Sequence, residues 1–448
     1  MTKKLNEDTL TEQPVIAWLK EMGYDYEFGP DLAPGQVLGE REDFREVVLA
    51  GRLKRSIRRL NPDLPEAAID DVARAITRVE HPNLEIANKE VYKLLTEGVK
   101  IGVRDEAGEE RGRLAKIFDF ENPQNNEFLV VNQFAIRGLE KVRRPDVVVF
   151  VNGIPLAIFE LKNPALENAT IYTAYEQLRE YKKDIPEIFK YNQVLIVGDL
   201  IEARHGTISS SWEWFSHWKG IESEDEKNHG ISELETLTRG IFHKVRFLDI
   251  VQNFIVFEAD AEKDASKYTK KMALYHQYFG VNKAVNETLR AAKPRGNRKI
   301  GVFWHTQGSG KSLSMVFYTN KAKRLEELKS PTFVFLTGKS AHAIFSGYLN
   351  FENVIKQITT KLKYMQKYQV IYADPSWNQK AGRALKGYKV IDGKQVWDGV
   401  DNKTLDLPYK VMSVAEIADL PIKEIVSKDA HLYMWVTNKY LLQAEKVI

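Results

Sequence analysis

The sequence predicts an α/β protein, because short apolar runs typical of buried strands alternate with helical patterns. A helical pattern at 168–183 separates the last two runs of the first group, and later runs at IGVFW, TFVFLT and YQVIYAD repeat the alternation. The first group of predicted strands comprises 128–134, 147–151, 155–161 and 193–197. Strands that alternate with helices favour sheets covered by helices on their faces.

Composition limits the class of protein. At 448 residues the chain is long enough for two or three domains. It contains no cysteine, which excludes disulfides and thiolate chemistry and fits the reducing cytoplasm, where we expect the protein. The N-terminus lacks an apolar signal segment, and Asn152, Gly153 and Pro155 interrupt the longest apolar run, 147–159, so no membrane span is expected.

The helical segments begin early in the chain. Residues 40–60 and 87–98 are predicted helices, 222–230 is a charged loop, and helical segments continue to about 292. The net charge of +3 alone does not indicate nucleic-acid binding. One helical stretch nevertheless gathers the basic residues Arg52, Lys54, Arg55, Arg58 and Arg59. A solvated helix face and a phosphate-binding face explain this cluster equally well.

The segment RRPDVVVFVNGIPLAIFELKNP, residues 143–164, predicts a hairpin that carries charged residues into the sheet. Glu160 and Lys162 lie two apart and share one face of their strand. A two-residue turn at Asn152-Gly153 would put Asp146 opposite Phe159. We predict instead a three-residue loop that includes Ile154, with Gly153 left-handed, or an equivalent bulge, either of which aligns Asp146 with Glu160.

Aligned in this way, the two carboxylates could hold Mg²⁺ through their oxygens, and the ammonium of Lys162 could orient or activate a water. These are the requirements of phosphodiester hydrolysis. Taken alone, the spacing D-x13-E-x-K is a weak pattern, and a buried ion pair or strand-end charges in solvent are its commoner explanations.

The segments IFDFENPQNNEFLVVNQFAIRG, RRPDVVVFVNGIPLAIFELKNP and AYEQLREYKKDIPEIFKYN closely resemble the restriction (R) subunit of type I restriction-modification enzymes. The resemblance extends from about residue 15 to 337. It implies a PD-(D/E)xK nuclease core with flanking helices, in which Asp146, Glu160 and Lys162 are catalytic and Gln177 and Tyr181 form the Q-x-x-x-Y element. It also implies DNA as substrate, and modification and specificity subunits as partners.

GVFWHTQGSGKSLSM, 301–315, places a glycine-rich loop between an apolar strand and a helix, which predicts phosphate binding. Gly308 and Gly310 would let backbone N–H groups approach ATP, Lys311 would reach its β and γ oxygens, and Ser312 would bind Mg²⁺. In the R subunits this loop is similar to motif I of a RecA-like helicase lobe, and Gln277 matches the glutamine that reads adenine. The sequence beyond Thr337 lacks a D-E-x-H motif, so we expect weak ATP binding without turnover.

YQVIYADPSW and the sequence from 407 to 448 resemble the first part of MT-A70-type adenine N6-methyltransferases. The usual D-P-P-W corresponds to Asp374, Pro375, Ser376 and Trp377. The resemblance implies a partial Rossmann-like segment and S-adenosylmethionine as methyl donor. The elements that bind this donor are expected to be missing, because the sequence ends at Ile448. The sheet of this segment should then expose an unpaired edge.

We therefore predict a restriction endonuclease domain at 1–255, a truncated helicase lobe at 256–337, and a linker with a methyltransferase fragment at 338–448. The principal hypothesis is Mg²⁺-dependent DNA cleavage. Two alternatives remain. One is an adenine N6-methyltransferase-type protein that modifies nucleic acid, and the other is an inactive fusion remnant that only binds DNA or partner subunits.

Overall fold

The computed structural model comprises two compact units, Met1–Phe279 and Gly280–Ile448. The residues that it describes are 9–104, 110–163, 170–226, 232–260, 264–293, 295–296, 302–304, 309–328, 333–337, 368–374, 388–391, 394–397 and 426–436. None of the helices in these ranges is long and apolar enough to cross a membrane.

The described helices occupy most of the first unit and the start of the second. They are α1 (Thr9–Glu21), α2 (Ala50–Leu60), α3 (Glu66–Thr77), α4 (Leu84–Glu97), α5 (Ile171–Asp184), α6 (Pro186–Phe189), α7 (Glu233–Phe242), α8 (Lys244–Asn253), α9 (Tyr275–Ala292) and α10 (Lys311–Ala322).

The described strands are β1 (Asp25–Phe28), β2 (Val99–Arg104), β3 (Glu110–Ala115), β4 (Phe128–Asn132), β5 (Ile136–Arg137), β6 (Val142–Arg143), β7 (Val147–Val151), β8 (Ile154–Leu161), β9 (Val194–Gly198), β10 (Ala203–Gly206), β11 (Ile255–Asp260), β12 (Asp264–Met272), β13 (Val302–Trp304), β14 (Phe333–Thr337), β15 (Tyr368–Asp374), β16 (Tyr388–Ile391), β17 (Lys394–Trp397) and β18 (Val426–Val436).

A six-stranded mixed sheet forms the centre of the first unit, with strand order β1-β4-β7-β8-β9-β10. The pairs β1–β4 and β8–β9 are parallel, and the remaining pairs are antiparallel. Helix α5 provides the crossover between β8 and β9, as a parallel pair requires. Every residue of β4, β7, β8 and β9 is buried, which explains their continuous apolar sequences. The α/β prediction is confirmed as a mixed fold consistent with a nuclease domain.

The β7–β8 hairpin aligns its ends through a bulge rather than through a longer loop. Asn152 and Gly153 form a two-residue turn with φ values of 50° and 79°, and Val151 pairs with Ile154. The predicted three-residue loop is therefore wrong. The register then shifts, so that Leu156 is the extra residue and Val147 pairs with Phe159. One further step along both strands brings Asp146 opposite Glu160, so the predicted alignment holds through the equivalent bulge.

Two helix predictions need correction. Residues 40–49 are not helical, because Arg41 is drawn into tertiary contacts: its Nη1 donates to Ala135 O at 2.8 Å, and its guanidinium lies over the Phe134 ring. Contacts of this kind override local helix propensity. The helical region before 292 is interrupted by the antiparallel hairpin of β11 and β12.

The basic cluster on α2 is mostly engaged within the protein. Arg52 forms ion pairs with three glutamates, Lys54 pairs with Asp70 and Arg58 with Glu66. Arg59 donates to the backbone carbonyl of Asn125. These partners favour an intramolecular role for the helix face over phosphate binding.

A four-stranded parallel sheet lies in the second unit, with strand order β13-β18-β15-β14. Strands on both sides of the predicted boundary at 337/338 therefore share one sheet. Both β15 and β18 have a neighbour on each side, so the prediction of an unpaired edge is wrong for these two strands.

Candidate active site at the end of the β7–β8 hairpin

Three predicted catalytic residues meet where β7 begins and β8 ends. Asp146 immediately precedes β7, Glu160 is the penultimate residue of β8, and Lys162 follows that strand directly. Glu160 is only 1% exposed, so it is a carboxylate inside the protein rather than a strand-end charge in solvent. Lys162 Nζ lies 3.0 Å from Glu160 Oε1.

A continuous set of hydrogen bonds links this pair to helix α5. Lys162 Nζ also donates to Gln177 Oε1 at 2.6 Å, and Gln177 Nε2 donates to the Tyr181 hydroxyl at 2.6 Å. That hydroxyl donates to the carbonyl of Arg144 at 3.3 Å. Gln177 and Tyr181 lie one helical turn apart on the same face, as the sequence predicts. The structure thus brings four of the five predicted residues into one network.

Asp146 joins the site through the backbone. Its Oδ2 accepts a hydrogen bond of 2.6 Å from the N–H of Leu161, the residue between Glu160 and Lys162. Its own carbonyl accepts from the Gln133 N–H. These contacts fix Asp146 at the start of β7, on the side of the hairpin that carries Glu160.

The ionisation of Glu160 depends on its burial and on its charged neighbours. Burial raises the pKa of Glu160 well above its ordinary value, and the nearby charge of Asp146 raises it further, while Lys162 opposes both effects. Burial and the charge of Glu160 also raise the pKa of the Tyr181 hydroxyl. Two neighbouring carboxylates, of which Glu160 is buried and Asp146 half-buried, are unfavourable in their charged forms unless a cation joins them.

The donor set fits a magnesium ion. Glu160 Oε2 is buried and has no hydrogen-bond partner among the described residues, so one oxygen is left to be satisfied. No group of three or more histidine or acidic side chains within the described ranges is arranged to hold a metal. Mg²⁺ does not need such a group, because it is commonly held by one or two carboxylates together with water and phosphate oxygens.

Two further residues stabilise the site but were not predicted from the sequence. Arg143 forms an ion pair of 2.6 Å with Asp184, which ties β6 to the end of α5. Glu12 is fully buried and accepts from Asn132 Nδ2 at 2.9 Å and from Gln133 Nε2 at 2.6 Å, at the end of β4. An acidic residue in an otherwise apolar stripe of α1 is the signal that could have indicated Glu12.

The predicted phosphate loop is described in part. Gly310 adopts a left-handed conformation with φ of 77°, and α10 begins at the next residue, Lys311. Lys311 and Ser312 are half-buried in its first turn. The preceding strand β13 ends at Trp304, and Gly308 lies outside the described residues. Strand and helix thus occur in the predicted order.

Gln277 has a local structural role. Its Oε1 accepts from the Leu274 N–H at 2.9 Å, three residues earlier, which satisfies an amide at the start of α9. The residue is buried, and its predicted contact with adenine stays a prediction.

The methyltransferase-like residues are described only at their first position. Asp374 is the last residue of β15 and is paired in register with Thr337 of β14. Pro375, Ser376 and Trp377 lie outside the described residues.

Comparison with known protein families divides the chain in three. Residues 4–214 match the family described as type I restriction enzyme R protein N terminus. Residues 276–342 match the SWI2/SNF2 ATPase family, and residues 368–448 match MT-A70.

Individual relatives support the first of these matches. The HindI type I restriction enzyme endonuclease subunit of Haemophilus influenzae is 40% identical over 361 residues, which is 79% of this chain and 34% of the relative. A proposed type I restriction enzyme endonuclease subunit of Methanocaldococcus jannaschii, MjaIXP, is 36% identical over 358 residues, which is 75% of this chain and 33% of the relative. This chain therefore spans about a third of the length of these relatives. Over most of its length the chain is similar to type I restriction enzyme endonuclease subunits, and short SWI2/SNF2 and MT-A70 segments follow the N-terminal region.

Proposed function

We propose that the first unit is a PD-(D/E)xK endonuclease that cleaves DNA phosphodiester bonds with Mg²⁺, as part of a type I restriction system. The observation that carries the proposal is the convergence of Glu160, Lys162, Gln177 and Tyr181 in one hydrogen-bonded network with Asp146 beside it. Similarity to restriction endonuclease subunits supports DNA as the substrate.

Each side chain has a distinct role in this proposal. Asp146 and Glu160 would hold Mg²⁺, since both present carboxylate oxygens on the same side of the hairpin. Lys162 supplies a fixed positive charge that offsets the charge of the scissile phosphate and orients the attacking water. Gln177 is a positioning residue, because it accepts from the ammonium of Lys162 and is itself held by Tyr181.

Magnesium would supply Lewis-acid polarisation of the phosphate and would stabilise the negative charge that develops during hydrolysis. It would also neutralise the two carboxylates, which relieves the repulsion that raises the pKa of Glu160. The site therefore gains stability and catalytic charge from the same ion.

The proposal is tested by incubating the purified chain with plasmid DNA and Mg²⁺, alone and with modification and specificity subunits. Wild-type protein should nick the DNA, and Lys162→Ala should reduce the rate by at least about 100-fold, because it removes a charge at the reacting centre. The fold should persist, since Lys162 contributes no core volume. Lys219→Ala, which alters an exposed lysine, should cleave at the wild-type rate.

Cleavage by Lys162→Ala at the wild-type rate would contradict the assignment. Absence of cleavage by the wild-type chain, with and without the partner subunits, would instead favour the alternative of a protein that only binds DNA or partners.

We further propose that the loop before α10 binds ATP, with Gly310 and Lys311 contacting phosphates and Ser312 contributing a ligand to the nucleotide's Mg²⁺. The left-handed Gly310 followed at once by a helix supports this proposal, since the N–H groups of a first helical turn point toward an anion. Gln277 would read the adenine. ATP hydrolysis is expected to be undetectable, because the sequence lacks the acidic motif that positions water.

The match of residues 368–448 to MT-A70 raises adenine N6-methylation as an alternative function. Asp374, Pro375, Ser376 and Trp377 would be its base-binding residues, and S-adenosylmethionine its donor. Transfer of labelled methyl groups to DNA or RNA, lost in Asp374→Ala, would support this alternative.

A further inference from the structure

A cavity of about 310 Å³ lies beside α5, on a helix face other than the one that carries Gln177 and Tyr181. Tyr175, Leu178 and Lys182 follow helical spacing and form one wall. The opposite wall is the loop that follows β10. This loop contributes Thr207, Ile208, Ser209, Ser210 and Ser211 to the lining.

The charged side chains that line this cavity are all positive. Three lining residues are basic and none is acidic. Arg179 pairs with Glu176, and Lys182 donates to Ile208 O at 2.9 Å and pairs with Glu85. Lys183 is exposed and forms no ion pair within the described part of the chain, so its ammonium is available to an anion.

The loop opposite Lys183 offers hydrogen-bond donors from a fixed backbone. Ser210 Oγ accepts from the Thr207 N–H at 3.0 Å, and Ser209 Oγ accepts from the Lys270 N–H at 3.0 Å. Ser211 also lines the cavity, and within the described ranges neither its hydroxyl nor its N–H forms a hydrogen bond. Two donors and a free ammonium are what a phosphate group requires.

Three aromatic side chains, those of Tyr175, Phe189 and Phe215, line the cavity. The ring of Tyr175 lies 5.2 Å from that of Phe215 and 5.6 Å from that of Trp212. Tyr172 does not line the cavity, but it contacts Trp212 edge to face and is 47% exposed. Aromatic rings beside positive charge are typical of surfaces that bind unstacked bases.

We propose that this cavity binds one unstacked nucleotide of a DNA strand, with its phosphate against Lys183 and Ser211 and its base against the aromatic cluster. The volume is at the lower end of the range of about 300–1,000 Å³ for small-molecule sites, which suits one nucleotide and exceeds the need of inorganic phosphate. Because α5 carries this cavity on one face and Gln177 on another, the site would hold a strand close to the cleavage centre.

The identity of the strand as DNA rests on the proposed function, so the test is designed to be independent of cleavage. Binding of a labelled single-stranded dT10 oligonucleotide to the full chain is measured by fluorescence anisotropy in EDTA over a series of salt concentrations. Lys183→Ala should weaken binding about tenfold and lower the slope of log K against log salt by about 0.7, the value for one lost phosphate contact. Lys183→Arg should restore binding.

The matched control is Lys100→Ala, which removes an exposed lysine from β2, away from the cavity, and should bind as the wild type does. Competition with thymidine 5′-monophosphate and with inorganic phosphate separates the sources of the ligand. Displacement by the free nucleotide at concentrations well below those needed with phosphate would support nucleotide recognition and identify a free nucleotide as a competing occupant.

Two results would overturn the inference: unchanged affinity and salt slope in Lys183→Ala, or equal competition by phosphate and nucleotide. Either result leaves the cleavage proposal intact, because that proposal depends on Lys162. Conversely, a chain that binds dT10 through Lys183 but never cleaves DNA would refute the cleavage proposal alone.

Discussion

Glu160 combines an energetic cost to the fold with a proposed role in binding a metal ion. A carboxylate that is 1% exposed, has one unsatisfied oxygen and lies near a second carboxylate destabilises the fold when it ionises. Lys162 compensates only in part, since it contacts Oε1. We therefore propose that this unsatisfied oxygen is a metal-ligand position.

Replacement of Glu160 by glutamine should change how stability depends on pH. Because the pKa of Glu160 is raised in the folded state, the unfolded chain releases this proton first, from about pH 4.5 upward. The fold favours the protonated form of Glu160, so its contribution to the free energy of unfolding of the wild type is lost as the pH rises through the folded pKa. In EDTA, the melting temperature of Glu160→Gln relative to wild type should increase across that window.

Two further measurements make this prediction specific. Mg²⁺ should raise the melting temperature of the wild type more than that of Glu160→Gln, because an ion that binds only the folded site stabilises it by mass action. Glu213→Gln, at an exposed position, should show neither effect. A difference between Glu160→Gln and wild type that is independent of pH would show that Glu160 does not titrate as the structure indicates.

At the scale of elements, the β7–β8 hairpin determines whether the site exists at all. A register shift of one residue would move Glu160 to the other face of the sheet. The bulged residue Leu156 is stabilised by its carbonyl, which accepts from the Gln193 N–H at 2.6 Å. The turn is held against the start of α2, because the N–H of Leu49, the residue before that helix, donates to Gly153 O at 2.9 Å.

Gly153→Ala should therefore destabilise the first unit strongly. The added Cβ would lie 2.6 Å from Leu49 O and 2.9 Å from Leu53 N, in a residue whose φ is already 79°. Gly35→Ala is the matched control, since Gly35 has φ of 78° and no atom within 4 Å of the added Cβ. The free energy of unfolding of the control should fall only by the cost of holding a non-glycine residue in a left-handed conformation, about 1–2 kcal/mol.

Urea unfolding measures both variants, and Gly153→Ala should lose distinctly more free energy of unfolding than Gly35→Ala. Equal losses would mean that the turn can move away from α2 without cost.

The hairpin also illustrates what the sequence could predict. The strand 147–151 and the alignment of Asp146 with Glu160 follow from local patterns and the demand that charges share a face. The two-residue turn was not predicted, since the same demand favoured a three-residue loop. The position of the bulge does not follow from local patterns, because it depends on Gln193 from another strand. The helix predicted at 40–49 is wrong for a similar reason, because contacts with the distant residues Phe134 and Ala135 hold the buried Arg41.

The cavity beside α5 was beyond prediction, since its two walls come from α5 and the loop after β10. Glu12 was overlooked because its partners, Asn132 and Gln133, lie more than a hundred residues away. Local periodicity indicates which residues are buried, but it does not indicate which distant groups meet.

At the scale of the whole molecule, the second unit combines strands from two segments that resemble different families. Strands β13 and β14 fall in or near the SWI2/SNF2 match, while β15 and β18 belong to the MT-A70 match. In the order β13-β18-β15-β14, the strands β18 and β15 lie between β13 and β14. The strand before the phosphate loop is therefore paired with a strand of the methyltransferase-like segment, β18.

Deletion of residues 338–448 should consequently abolish nucleotide binding as effectively as Lys311→Ala does. Without β15 and β18, both described neighbours of the strands around the loop are lost, and β13 has no partner to fix the position of α10. The first unit contains its own sheet and core, so its unfolding transition should remain. Titration with a fluorescent ATP analogue and thermal unfolding of the full chain, the deletion variant and Lys311→Ala test both expectations. Full nucleotide affinity in the deletion variant would show that the loop folds without the shared sheet, and loss of the first unit's transition would show that the two units do not fold independently.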